Sequence, residues 1–256
     1  MLSDSDANIR RRQARRPRRT NGDGKVARPI PYDPLSLENL AHSVERALLD
    51  TDPVNITEVP ETVGAGIYAL YYTGDEPLYA PISNQECSTP IYVGKAVPQG
   101  GRKGLVDPTK DSYALWTRLQ EHKESLEQAE NLDVSDFRAR YLVVVPFFVG
   151  LAEEIMIRKY QPVWNLKLDG FGNHDPGENR RGQGQRPAWD EVHPGRWWSQ
   201  PERMPKPNKV SPETSRENIR DHLARLSAET PVELDMARAL EDLDGMQSAL
   251  DFDDAE

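Results

Sequence analysis

GAGIYALYY (64–72) and PIYVGKA (90–96) are two short runs of β-branched and aromatic residues, bounded by Gly, Pro, Asp and Asn. Runs of that kind read as the two strands of a hairpin. The segment between them, Thr73 to Pro90, carries Gly, Asn, Ser and internal prolines, so an extended connection is expected rather than a tight turn. Strand residues two apart share a face, which puts Tyr68 with Gly66 and Leu70. A pair of tyrosines on neighbouring strands is ordinary core packing unless other groups converge on it. Here Arg118-x-x-x-His122, Glu153 and Asn165 follow downstream.

Upstream of the hairpin, residues 1–30 hold nine Lys/Arg against three Asp/Glu, and seven of those arginines lie between Arg10 and Arg19. Such a block repels itself, and residues 1–35 read as a disordered basic arm. It would suit phosphate contact or minor-groove entry as well as it would suit a solvated tail. From Ser36 the spacing Leu37, Leu40, Ala41, Val44, Leu48 is helical, with Ser36 as N-cap, so residues 36–60 form an N-terminal helical segment.

Downstream, QGGRKGLVDPTKDS (99–112) is a glycine-rich basic loop in which Arg102 and Lys103 are candidates for phosphate contact. Its spacing is not that of a nucleotide-binding Walker loop. SYALWTRLQEHKESLEQAE (112–130) reads as a helix with the stripe Leu115, Leu119, Leu126. Arg118 and His122, four apart, share one of its faces; alone they would read as a solvated pair. ARYLVVVPFFV (139–149) reads as a strand buried on both faces, followed by a short helix with Glu153 in its first turn. Trp164 and Asn165 are expected in an extended segment beyond Pro162.

Residues 169–200 turn Gly-, Pro- and Arg-rich with three tryptophans, a pattern of ordered functional loops pinned by aromatic anchors. Pro201 to Ser215 reads as a linker, residues 216–250 as one or two amphipathic helices, and DFDDAE as an acidic end. Residues 229–256 carry ten acids against one Arg, and they account for nearly all of the net charge of −10. Overall acidity is therefore no argument against nucleic acid. The single Cys87 excludes an intramolecular disulfide and fits a reducing compartment. No apolar run of membrane length and no signal-like h-region are present, so a cytoplasmic protein without membrane association is expected.

The ordered set Gly66-Ile67-Tyr68, Tyr92-Val93-Gly94, Arg118-x-x-x-His122, Glu153 and Pro162-Val163-Trp164-Asn165 resembles the GIY-YIG nuclease superfamily. The phrases GFGNHDPG (170–177) and WDEVHPGRWW (189–198) are similar to its type II restriction endonuclease branch, the NgoMIII-like enzymes that cut CCGCGG. The resemblance implies an α+β fold: a catalytic core over residues 61–168 with a central three-stranded antiparallel sheet flanked by helices. A loop-rich DNA-recognition extension over 169–200 and a C-terminal region over 201–256 would follow. Valine for the isoleucine of the second motif is a conservative departure.

By that resemblance Glu153, rather than neighbouring Glu154, is the protein ligand of one Mg²⁺, with Mn²⁺ as a substitute. Arg118 would hold the scissile phosphate as a fork, and Tyr68, Tyr92 and His122 would position the attacking water or take its proton. Whether Tyr68 or His122 is the base stays open. Lys95 would add positive charge, and Asn165 would brace the site. Candidates for DNA contact in the loops are His174, Arg180, Arg181, Arg186, His193 and Arg196. The expected partners are double-stranded DNA, a second copy of the chain on a palindromic site, and functionally a cognate DNA methyltransferase of the same restriction-modification system. The competing expectations are a repair or homing nuclease of the same superfamily, or a catalytically dead DNA-binding protein on its scaffold.

Overall fold

The computed structural model describes residue 33 and residues 35–98 and 112–228. The basic arm up to residue 32, Arg102 and Lys103 of the glycine-rich loop, and the acidic stretch from 229 onward lie outside the described residues. Those from Leu35 to Ala228 belong to one unit.

Helix α1 (Leu37–Leu49) begins where Ser36 Oγ accepts the Asn39 amide, as the sequence predicts. A two-residue strand β1 (Val54–Asn55) follows, then β2 (Gly66–Tyr72) and β3 (Tyr92–Ala96). Helix α2 (Ala114–Gln128) precedes β4 (Phe137–Val143), α3 (Pro146–Tyr160) and the single turn α4 (Val163–Leu166). Two short helices, α5 (Glu178–Arg181) and α6 (Ala188–Val192), interrupt the loop region before α7 (Pro212–Ala228).

The sheet has four strands in the order β1-β4-β2-β3, all antiparallel. The expected three strands are therefore joined by a fourth, because Val54 and Asn55 pair with Ala139 and Arg138. All seven residues of β2 are buried. Its alternate side chains enter two different cores. Tyr68, Leu70 and Tyr72 pack with Leu115, Leu119 and Leu126 of α2; Ile67, Ala69 and Tyr71 pack with Leu48 of α1 and Val149, Ala152 and Met156 of α3. The leucine stripe of α2 is fully buried, as its spacing requires.

The apolar run 139–149 is not one strand. Pro146 opens α3, at the helix position where its missing N–H costs nothing. Glu153 consequently sits mid-helix rather than in a first turn. Nor is β4 buried on both faces: its outer half is only partly covered and Val143 is exposed. The connection from Thr73 to Pro90 is a series of turns rather than an extended segment, and Asn165 lies in the α4 turn.

The stretch read as a linker is docked. Asn208 donates to Arg186 O, Gln185 bridges Lys206, and Ile219, His222 and Leu223 of α7 are buried. His222 Nε2 and Arg225 reach Gln161, the left-handed residue that ends α3. At the other side of α3, Glu45 of α1 accepts from Tyr160 Oη (2.6 Å) and Lys159 Nζ (2.7 Å). Burial would raise the Glu45 pKa, yet these partners and His42 hold it below the ordinary value, so an ionised carboxylate ties α1 to α3. Among the described residues no helix is long and apolar enough to cross a membrane.

Candidate active site

Strand β3 ends the sheet, and its two faces diverge. Tyr92, Gly94 and Ala96 point with Tyr68 toward α2; Val93 and Lys95 point toward α3. A cavity of about 620 Å³ wraps this edge. Tyr68, Tyr92, Arg118, Glu121 and His174 line it from one side, and Lys95 and Glu153 from the other. Groups scattered over more than a hundred positions of sequence thus meet in one place.

Glycine makes the approach possible. A Cβ on Gly94 would stand 2.3 Å from Tyr68 Oη, and one on Gly66 would stand 2.0 Å from the backbone oxygen of Leu142. The two motif glycines therefore serve different ends: Gly94 leaves room for the Tyr68 ring and hydroxyl, and Gly66 lets β2 and β4 close.

Tyr68 Oη and His122 Nε2 share a 2.6 Å hydrogen bond, both fully buried. His122 is stacked on Phe171 at 4.5 Å and 13°, with Tyr92 edge-on at 5.2 Å. Burial, followed by the charge of Arg118, pushes the His122 pKa well below its ordinary value, so the ring is neutral. Burial, followed by Tyr92, pushes Tyr68 well above its ordinary value; Arg118 pulls the other way and is outweighed. The solvated Arg/His pair that spacing alone would suggest is absent: His122 is interior, and Arg118 is half-buried.

The Arg118 guanidinium donates to Gly172 O (2.7 Å) and to Glu121 (2.9 Å), and lies 2.6 Å from His174 Nε2. A Cβ at residue 172 would press against Arg118 and Tyr92 Oη, both at 2.9 Å, so glycine there keeps the arginine in reach. Lys95 Nζ and Glu153 Oε2 form an ion pair at 2.6 Å. Glu154 points elsewhere, to Arg158. Asn165 accepts from Val93 N–H and donates to Val93 C=O, both at 2.8 Å. It gives the end strand the two bonds a further strand would have supplied, which fixes Tyr92 and Gly94 on either side. Among the described residues no cluster of three or more His, Cys, Asp or Glu side chains gathers to hold a metal.

The loop candidates separate sharply. His174 joins the cavity. Arg196 and His193, expected at DNA, are each 1% exposed and serve the interior. Arg196 forms a double ion pair with Asp190 and donates to the carbonyls of Gly170, Phe171 and Asn173, between the rings of Trp189 and Trp198. His193 bonds Tyr79 Oη (2.6 Å) and Asn131 Oδ1 (3.0 Å), and burial lowers its pKa to about 3. Arg186 is paired with Glu191 and Arg181 with Asp175. Arg180 alone of these arginines is exposed and without a partner among the described residues.

Three contributors escape sequence reading. Phe171 carries the His122 ring, Glu121 balances Arg118, and Tyr79 joins Trp164 to His193. Glu121 is one position before the histidine and on its helix, so its spacing from Arg118 was the available signal; an aromatic between two glycines was the signal for Phe171. The model of the Eco29kI GIY-YIG domain matches residues 61–223. The comparison with curated proteins returns no match.

Proposed function

Because the chain belongs to the Eco29kI GIY-YIG domain family, a family of restriction endonucleases, we propose that it hydrolyses phosphodiester bonds of double-stranded DNA as a type II enzyme at CCGCGG. The observation that carries the mechanism is the short Tyr68–His122 hydrogen bond beside Arg118 and Glu153 on one cavity. Tyr68 lines that cavity and His122 does not. In this reading Tyr68, closed over in the free protein, is the group nearer the attacking water, and His122 stands behind it. Burial disfavours a tyrosinate and an imidazolium alike, and the negative charge of a bound phosphate would make the imidazolium the tolerable one of the two. The proton passes from water to Tyr68 Oη as the tyrosine proton passes to His122 Nε2. Hydroxide attacks phosphorus in line, the bond to the 3′-oxygen breaks, that oxygen takes a proton from a water, and a 5′-phosphate and a 3′-hydroxyl result.

Arg118 is the cation nearest the tyrosine pair, and its fork exchanges its present carbonyl and imidazole partners for phosphate oxygens. The donor set suits Mg²⁺, which takes one or two carboxylates together with water and phosphate oxygens. Glu153 would hold it, and Lys95 must swing off that carboxylate. Bound there, Mg²⁺ or Mn²⁺ would neutralise charge on the phosphate and the leaving oxygen. One such site among the described residues of each chain would cut one strand, so a double-strand break at a palindrome calls for two copies on DNA. A methyltransferase modifying the same site is the expected functional companion.

The test is digestion of a plasmid carrying one CCGCGG site, with Mg²⁺ and with EDTA, beside Glu153→Ala and Arg118→Ala. Linearisation at the site that needs Mg²⁺ and is lost in both variants is expected. Cutting elsewhere would keep the nuclease and discard the site; no cutting with any divalent ion would sink the reading.

A further inference from the structure

A second hollow of about 370 Å³ opens beside the active-site cavity, and His174 lines both. Asn173, Arg180, Gln183 and Gln185 contribute to its walls. None of these four side chains has a hydrogen-bond or ionic partner among the described residues. All four are exposed, so their hydrogen-bonding groups face water and are free to meet a ligand. Arg181, Arg186 and Arg196 are each held by a carboxylate.

The backbone carrying the four is fixed. Arg181 and the Gly177 amide both bond Asp175. Lys206 Nζ holds Gln183 O, Arg186 N donates to Lys206 O, and Asn208 holds Arg186 O. A Cβ on Gly184 would meet Met204 at 3.0 Å, so the ledge lies close against the chain beneath it. Donors and acceptors on a rigid ledge, next to a site for the scissile phosphate, suit a ligand whose edge presents fixed hydrogen-bonding groups.

Resting on the nuclease reading above, we propose that this hollow reads base edges in the major groove, with Arg180 bidentate to a guanine and Gln183, Gln185 and Asn173 serving neighbouring bases. An arginine fork matches O6 and N7 of guanine. A carboxamide both donates and accepts, so it answers the amino group of cytosine as well as the keto group of guanine. His174 marks the seam between the group that holds the phosphate and the groups that read the sequence.

The test is selection of bound duplexes from a random-sequence pool by Glu153→Gln protein in EDTA, followed by sequencing. The same selection is run on Glu153→Gln combined with Arg180→Ala, and combined with Gln183→Ala and Gln185→Ala. The parent is expected to enrich one motif. The Arg180→Ala combination should lose preference at one G·C pair by about tenfold to a hundredfold and keep the other positions. The glutamine combination should relax adjacent positions. An unchanged motif in both, a uniform loss of binding at every sequence, or no motif in the parent overturns the proposal. Cleavage by the unaltered protein with Mg²⁺, read separately, decides the nuclease itself, so the two failures are distinct.

Discussion

Glycines 66 and 94 each forbid a methyl group, but against different neighbours, and the difference predicts different phenotypes. At residue 94 the methyl would meet the Tyr68 ring, which can tilt at the expense of its place in the cavity. Gly94→Ala should fold with nearly normal stability and lose about a hundredfold in cleavage rate, since a displacement near 1 Å costs about that much. At residue 66 the obstacle is the Leu142 carbonyl, which belongs to the paired backbone of β4. Gly66→Ala should cost about 2–3 kcal/mol in urea denaturation, by forcing the strands apart. Equal stability losses in the two variants would contradict the separation of roles. The residue scale also shows why His122 was legible and Phe171 was not. His122 was legible only as one of the ordered motif residues, since its spacing from Arg118 alone reads as a solvated pair; Phe171, between two glycines, acquires its purpose only when the loop folds over the histidine.

Among the elements, strands β2 and β3 could be read from their β-branched and aromatic composition between turn residues, and helix α2 from its leucine repeat toward one core. The junction of β4 and α3 could not. From Leu142 to Val149 every residue except Pro146 is apolar, and an uninterrupted apolar run has no period to tell strand from helix. Pro146 was the only mark, and it signals a helix start as readily as a strand end. The loop arginines were equally ambiguous: a clamp and a DNA contact use the same side chain. Arg196 holds three carbonyls of the segment that carries Phe171, so it acts on the site through that loop. Arg196→Lys keeps a charge but cannot span Asp190 and the carbonyls together. It should destabilise the protein by about 3 kcal/mol, in the range for a broken buried pair. Calorimetry and near-UV circular dichroism of Trp189 and Trp198 would register it; an unaltered melting temperature would refute the clamp.

At the scale of the molecule, two histidines, His122 and His193, are buried neutral. Both have folded-state pKa values below the unfolded one, so the unfolded chain binds more protons as pH falls below about 6.5. Their contribution is complete above that pH and is lost on acidification, by about 1.4 kcal/mol per pH unit for each histidine. Urea midpoints should therefore fall from pH 7 toward pH 4, and His193→Gln should flatten the slope by about one proton's worth. A slope unchanged in His193→Gln would contradict the neutral assignment.

Strand β2 divides the two cores, with all seven residues buried, and its partner β4 begins 71 positions after it starts. On the ribosome, at about 5–20 residues per second, some 4–14 seconds separate the emergence of the two. Throughout that interval a strand apolar on both faces has one side of its backbone unpaired. The nascent chain is thus a natural client for a holding chaperone, and a polypeptide ending before Phe137 should precipitate where the longer chain stays in solution.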